Sequence, residues 1–156
     1  MAAKFSDQQI DAFVRERKPL PEDYRTRVRP REKRGHKESE LEIAGANGSL
    51  FRLILRQGDL NPLDFSIILA LCPAKSSQIF RLRRYNGKHE HSNRIEGDEF
   101  HDFHVHYATE RYQDLGMKED AYAVPSQGYS DFHSALVCLL KECGFDLPPG
   151  QQLSLF

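Results

Sequence analysis

The chain has 156 residues, of which 39% are hydrophobic and 29% are charged. This length suits one domain with its own hydrophobic core, and the composition excludes a disordered tail. The net charge of -1 gives the chain as a whole no attraction to nucleic acid. The sequence contains no run of about 18 apolar residues that could span a bilayer. We therefore expect a globular domain without a membrane partner.

The first residues and the cysteines predict the compartment. The opening sequence MAAKFSDQQIDAF lacks the short apolar core of a secretion signal. The three cysteines are odd in number and have no zinc-type spacing; they are Cys72, Cys138 and Cys143. Reduced thiols fit this pattern, so we expect a cytoplasmic protein.

The first predicted element is a helix over residues 7–17. Ser6 followed by Gln9 is the pattern of a capping box, in which each side chain bonds to the backbone N–H of the other residue. The apolar residues that follow share one face of this helix, and they are Ile10, Phe13 and Val14. This face predicts that the helix packs on the body of the domain.

A basic segment follows the helix. Ten Lys and Arg residues lie between Arg15 and Lys37, together with four acids. Prolines interrupt the segment, which predicts an arm or loop at about residues 18–37 rather than a long helix. Such an arm can follow the phosphates of a nucleic acid, and the alternative is a solvated linker. The candidates for nucleic-acid contact are Arg25, Arg27, Arg29 and Arg31.

A period-two pattern predicts strands from Glu38 onward. Asn47-Gly48 indicates a hairpin whose second strand is residues 50–56. The apolar run Phe65–Leu71 predicts a central strand. Residues 79–85 predict a fourth strand, and strict alternation divides it into two faces: Ile79, Arg81, Arg83 and Tyr85 on one, and Phe80, Leu82 and Arg84 on the other.

The remaining elements complete a predicted α+β domain. Residues 100–108 are predicted to form another strand, and residues 131–143 a helix with Ser130 as its N-cap. Together the elements predict an antiparallel β-meander of about five or six strands, flanked by an N-terminal and a C-terminal helix. We expect residues 1–145 to be a single domain and residues 146–156 to be a flexible tail.

Five of the seven histidines lie between His89 and His106. Alternation along the strand places Asp102, His104 and His106 on one face. A hairpin loop centred on Gly97-Asp98 would set His89 opposite His106, His91 opposite His104, and Asn93 opposite Asp102. The sequence thus predicts a cluster of four imidazoles, namely His89, His91, His104 and His106.

Three interpretations of this cluster stay open. Neutral imidazoles bind divalent transition metals, so the four histidines are candidate metal ligands. Histidines also act as general acids and bases, and a metal-free ribonuclease is conceivable with the catalytic candidates His104, His106, Asp102 and Arg111. The third interpretation is a polar outer face of a sheet, on which histidine is tolerated.

Part of the chain resembles an uncharacterised bacterial family with a similar histidine-rich strand region. The resembling run is RYNGKHEHSNRIEGDEFHDFHVHYATERYQ, at residues 84–113. This resemblance implies no particular activity. At the level of the fold, short meander domains with terminal helices are similar to toxins of toxin–antitoxin systems.

The tail carries the sharpest motif. After Pro148-Pro149-Gly150 comes a pentapeptide that resembles the bacterial sliding-clamp-binding motif at all five positions: Gln152, Leu153, Ser154, Leu155 and Phe156. Its position at the C-terminus after a Pro/Gly linker is also similar to that of clamp-binding proteins. The resemblance implies docking on the DNA polymerase sliding clamp. The alternative is that Leu155 and Phe156 cover a groove of the domain itself.

Two functions follow from these patterns. The first is a clamp-binding protein in DNA replication or repair, of which a replication-inhibiting toxin that occupies the clamp groove is one form, with an antitoxin or adaptor as a further partner. The second is a metal- or histidine-dependent nuclease. Asp102 is the one acid placed with the histidines, whereas metal-dependent nucleases use several carboxylates. This favours the first function.

Overall fold

The computed structural model describes residues 3–151. The helices in this range are α1 (Asp7–Arg15), α2 (Tyr24–Arg27), α3 (Glu110–Asp114) and α4 (Phe132–Glu142). The strands are β1 (Lys18–Pro19), β2 (Arg31–Lys33), β3 (His36–Ala44), β4 (Leu50–Gly58), β5 (Phe65–Leu71), β6 (Phe80–Asn86), β7 (His91–Ser92), β8 (Glu99–Phe100), β9 (His104–Tyr107), β10 (Tyr122–Pro125) and β11 (Phe145–Asp146). None of the helices within residues 3–151 has the length and apolarity needed to cross a membrane.

One antiparallel sheet of seven strands dominates the fold, in the order β10-β9-β6-β5-β4-β3-β2. The predicted α+β class and the flanking helices are confirmed, and the meander has one or two more strands than expected. Helices α1 and α4 pack on one face of the sheet and build the core there, for example through Val14, Leu69 and Leu139. The opposite face, which we call the outer face, carries a smaller apolar cluster of Ile54, Ile68 and Ala70.

The predicted N-terminal helix is present and ends two residues early. The capping box forms, because Gln9 N donates to Ser6 Oγ at 3.1 Å and Ser6 N donates to Gln9 Oε1 at 2.9 Å. The helix ends at Arg15, and the carboxylate of the next residue, Glu16, bonds to the turn between β3 and β4. Glu16 accepts from Asn47 N at 3.0 Å and from Ser49 Oγ at 2.7 Å, and so stabilises the predicted β3–β4 turn.

The faces predicted for the fourth strand are wrong from Arg83 onward. Ala70 pairs with Arg81 but Leu69 pairs with Arg83, so β6 has a bulge at this point. A bulge adds a residue and exchanges the faces that follow it. Tyr85 is therefore completely buried in the core, and Arg84 points to the outer face.

Two short strands join the beginning and the end of the domain. β1 pairs in parallel with β11, Lys18 opposite Phe145. The ammonium group of Lys18 is completely buried and donates to four carbonyl oxygens at 2.7–2.9 Å, those of Phe13, Val14, Glu16 and Cys143. Burial lowers the pKa of Lys18 to about 8. This side chain ties the ends of α1 and α4 together.

Candidate functional site

His104 and His106 lie on β9, on the outer face of the sheet. Val105 between them belongs to the core, and alternation therefore turns both histidines to the opposite side. On the neighbouring strand β6, Asn86 pairs with His104 and Arg84 pairs with His106. The two histidines are only 0% and 4% exposed, so they are enclosed although α1 and α4 pack on the other face.

The hairpin of β7 and β8 encloses them. The ring centroid of His91 lies 4.7 Å from that of His106 and 5.5 Å from that of His104. Phe100 on β8 adds a contact of 5.4 Å with His104. Three of the four clustered histidines thus come from two different sheets.

The hairpin register predicted from the sequence is wrong. His91 pairs with Phe100, and not with His104, because β7 and β8 form their own two-stranded sheet. β9 instead lies between β6 and β10 and is paired with a strand along both of its edges. A pairing of β9 with residues 89–93 alone would satisfy one edge only, which leaves backbone groups of β9 without strand partners.

The three enclosed histidines are close enough to share an ion. One ligand atom of each of His91, His104 and His106 lies within 4.8 Å of the other two. A second group, Glu90, Glu99 and His101, meets the same distance but is fully on the surface. Exposed acidic groups of this kind are common without a bound metal, so the enclosed histidines are the stronger candidate.

Each of the three rings donates a hydrogen bond to an oxygen. Nδ1 of His104 lies 2.8 Å from the carbonyl oxygen of Asp102, and Nδ1 of His106 lies 2.7 Å from that of Asp120. Nε2 of His91 lies 2.8 Å from Oδ1 of Asn93. A carbonyl oxygen can only accept, so these nitrogens carry the protons, and a neutral ring keeps a lone pair on its other nitrogen.

Asn93 holds its amide in one orientation. Its Nδ2 donates to Asp98 Oδ1 at 3.0 Å and to the carbonyl oxygen of Ala123 at 2.7 Å, and its Oδ1 accepts from Ala123 N at 2.9 Å. These bonds fix Oδ1 as the acceptor that faces His91. The lone pair of His91 is therefore on Nδ1.

The buried rings are neutral at neutral pH. The pKa of His104 is lowered to about 4, mainly by burial. The hydrogen bond to the Asp102 carbonyl raises this pKa, whereas the neighbouring histidines and Arg84 lower it. Burial and then the charge of Arg84 lower the pKa of His106 to about 2. Neutral imidazoles are metal ligands, but rings with such low pKa values are poor general acids near pH 7.

Asp120 contacts both His106 and two arginines of β6. Its carboxylate is completely buried, with Nε of Arg84 3.2 Å from Oδ2 and Nε of Arg81 3.5 Å from Oδ1. The same residue accepts the His106 hydrogen bond through its backbone. Asp120 and Asn86 were not predicted from the sequence, since their contacts with His106 and His104 join residues 14 and 18 positions apart and no local pattern marks them.

The other predicted site residues lie at the rim. His89 is exposed, with Nε2 3.1 Å from Nδ2 of Asn86. Asp102 is exposed and contributes its backbone oxygen rather than its carboxylate. Arg111 bonds to Glu96 at 2.5 Å and lies 4.5 Å over the ring of Tyr122. The predicted set therefore divides into an enclosed centre and three rim residues.

A cleft of about 380 Å³ adjoins the centre. His91 lines it together with Tyr112 and Met117, and two cationic side chains, Arg94 and Lys118, lie in the same wall. Both cations are exposed. The cleft can therefore admit an anionic molecule next to His91.

The basic segment is folded onto the domain. It contains β1, α2 and β2, and the buried Tyr24 and Val28 anchor it. Its four nucleic-acid candidates remain exposed on the surface: Arg25, Arg27, Arg29 and Arg31. The segment thus presents arginines from a fixed base instead of from a loose arm.

The predicted clamp-binding motif, residues 152–156, lies outside the described residues. The segment before it belongs to the folded body. Pro148 is buried, Gln151 N donates to the Pro148 carbonyl at 3.1 Å, and Gln151 Nε2 donates to the carbonyl of Glu22 at 3.3 Å. Gln151, the last described residue, therefore contacts Glu22 of the basic segment.

Comparisons with family models, with curated proteins and with solved structures found no match to this chain.

Proposed function

We propose that this protein docks on the bacterial DNA sliding clamp through residues 152–156 and acts in DNA replication or repair in the cytoplasm. The observation that carries the proposal is the pentapeptide QLSLF, which agrees with the clamp-binding motif at all five positions.

The chemistry of the pentapeptide suits a short groove on a partner. Gln152 can donate and accept through one amide, and Leu153, Leu155 and Phe156 supply apolar area. Burial of these three side chains contributes about 5–8 kcal/mol before the cost of ordering the peptide is subtracted. Pro148 and Pro149 limit the freedom of the preceding backbone and reduce that cost. A micromolar Kd, about -8 kcal/mol, is the expected affinity.

The test is binding of the full-length protein to purified bacterial sliding clamp by calorimetry. The double variant Leu155→Ala/Phe156→Ala should weaken binding at least about 100-fold, since it removes roughly 3–6 kcal/mol of burial. Gln151→Ala, directly outside the motif, is the matched control and should bind within about threefold of the unmodified protein. Absence of binding, or equal affinity of the double variant, overturns the proposal.

Docking on the clamp could either recruit the domain or block the clamp groove, and expression in cells distinguishes these two outcomes. A domain that is recruited leaves DNA synthesis running, whereas a replication-inhibiting toxin blocks the groove and stops DNA synthesis when it is expressed. The Leu155→Ala/Phe156→Ala variant should relieve such an arrest. An arrest that the double variant relieves supports the toxin form and a cognate antitoxin or adaptor as a further partner.

A second candidate function is a nuclease that acts in the cleft beside His91. The cleft favours it, because Arg94 and Lys118 can hold a phosphate near the histidine centre. The low pKa values of His104 and His106 disfavour the acid–base form and leave the metal-dependent form. Cleavage of a single-stranded RNA or DNA oligonucleotide that requires both Zn²⁺ or Mn²⁺ and His91 would establish it, and cleavage that survives His91→Ala would rule out this site.

A further inference from the structure

We infer that His91, His104 and His106 form a centre for one divalent transition-metal ion of the Zn²⁺ class, with a further coordination position beside the cleft. This site does not involve the tail, so it stands or fails independently of clamp docking. Its function is to bind metal, whether or not the domain cleaves a substrate.

Distances support a single shared ion. An ion with Zn–N bonds of about 2.0–2.1 Å in tetrahedral geometry holds its ligand nitrogens about 3.3 Å apart. The ligand atoms of His91, His104 and His106 already lie within 4.8 Å of one another. The ligand nitrogens therefore have to approach one another by about 1.5 Å at most when an ion binds. His91 can supply this movement, because it lies on a strand of two residues and is only half-buried, whereas His104 and His106 are fixed in the large sheet.

The protons are on the correct nitrogens. A metal-binding histidine usually donates its other N–H to a carbonyl or carboxylate, which fixes the ring and its tautomer. All three rings do so, to the backbone oxygens of Asp102 and Asp120 and to Oδ1 of Asn93. The lone pairs are thereby left on Nε2 of His104, on Nε2 of His106 and on Nδ1 of His91. Nδ2 of Asn86 lies 3.4 Å from Nε2 of His104, and an ion bound there would replace this contact.

The donor set selects the metal class. Three imidazoles and no carboxylate in the enclosed group favour Zn²⁺, Co²⁺, Ni²⁺ or Cu²⁺ over Mg²⁺ or Ca²⁺, which prefer oxygen ligands. Three protein ligands also leave a fourth position of a tetrahedral ion for water or another small ligand. His91 lines the cleft that contains Arg94 and Lys118, so an anion is the expected class of exogenous ligand.

The test uses untagged full-length protein that has been stripped with a chelator. Calorimetric titration with Zn²⁺ should show one ion per chain, and titration with Co²⁺ should give the visible absorption bands of a nitrogen-bound tetrahedral ion. His91→Ala should lose at least about 100-fold in Zn²⁺ affinity, because it removes a ligand rather than a supporting residue. His91 is half-buried, so this variant is expected to fold, and a thermal unfolding curve without metal verifies this.

Two matched variants locate the ion. His89→Ala and His101→Ala remove exposed histidines near the centre and should each bind Zn²⁺ within about threefold of the unmodified protein. Loss of binding in His101→Ala but not in His91→Ala would place the ion at the surface group of Glu90, Glu99 and His101, and would overturn the inference. Absence of stoichiometric binding would overturn it too. A variant that lacks residues 152–156 should keep the metal, which separates this result from clamp docking.

Discussion

Nδ1 of His106 donates a hydrogen bond to the backbone oxygen of Asp120 at 2.7 Å, and the carboxylate of the same aspartate is held by Arg81 and Arg84. A buried ion-pair network therefore fixes the segment that orients a ring of the histidine centre. The network lies on the outer face of the sheet, opposite to the core that the helices cover. Stability and the geometry of the centre are coupled at this residue.

Asp120→Asn should lower both the free energy of unfolding and the affinity for Zn²⁺. The change leaves Arg84 without a carboxylate partner and leaves Arg81 with Glu119 alone, at a cost of about 2 kcal/mol. Displacement of the Asp120 backbone should weaken Zn²⁺ binding about 10–100-fold. Urea unfolding and calorimetry measure the two effects. Asp114→Asn, which breaks an exposed pair with Lys4, is the control and should change stability by less than about 1 kcal/mol. Equal effects of both variants would contradict the coupling.

Lys18→Met should destabilise the domain by about 3 kcal/mol or more, because four carbonyl oxygens lose one shared donor. Nζ of Lys18 also lies 4.5 Å over the ring of Phe51, so the loss combines the four hydrogen bonds with this cation–π contact. Urea unfolding measures it. Lys141→Met alters an exposed lysine at the end of α4 and should be nearly neutral. A neutral Lys18→Met would mean that the carbonyls find other donors.

Gly87→Ala should lower the free energy of unfolding by about 1–3 kcal/mol, which is the usual effect of overpacking. A Cβ at position 87 would lie 1.7 Å from the carbonyl oxygen of Leu63, and backbone cannot yield as a side chain does. Gly128→Ala is the comparison, because its Cβ would meet nothing closer than 3.4 Å. Thermal or urea unfolding of the two variants should separate them clearly, and similar stabilities would show that the segment after β6 is free to shift.

The metal-free protein should lose stability as the pH falls below about 6.5. The folded pKa of His104 is about 4, below the ordinary value of about 6.5, so in this window the unfolded chain binds a proton that the folded chain does not. Stability thus rises with pH, by up to about 1.4 kcal/mol per pH unit for each such ring. The contribution of each such ring to the free energy of unfolding is fully present above pH 6.5 and is lost as the pH falls toward 4.

Urea unfolding in the presence of a chelator, at several pH values between about 7 and about 5, measures this slope. The slope should be smaller in His104→Asn and unchanged in His133→Gln, which alters an exposed histidine at the start of α4. If His104→Asn does not fold, His106→Asn provides the same comparison. A slope that neither variant reduces would assign the acid sensitivity to other groups.

Local patterns predicted the elements whose determinants are close together in the chain. The Ser6–Gln9 capping box, the Asn47-Gly48 turn and the apolar strand Phe65–Leu71 are all present in the structure. Each depends on residues within one element or one turn. The last helix also formed, although its N-cap is Asp131, which accepts from Ser134 N at 2.8 Å, and not Ser130.

Prediction failed where the determinant lies on a distant strand. The bulge that buries Tyr85 depends on how β6 pairs with β5, and nothing in the sequence of β6 marks it. Alternation correctly placed His104 and His106 on one face, but the hairpin register depended on whether β9 pairs with residues 89–93 or with β6. The Asp120 contact with His106 spans 14 residues and crosses strands, so it became visible only in three dimensions.

The burial of Lys18 has a consequence for synthesis on the ribosome. One of its four acceptors, the carbonyl of Cys143, lies 125 residues further along the chain. While a nascent chain is still being extended, the first helix and most of the sheet can leave the exit tunnel with this cation unsatisfied. Completion of the fold must wait for residues 143–146, and until then β1 has no partner strand and is open to chaperones or proteases.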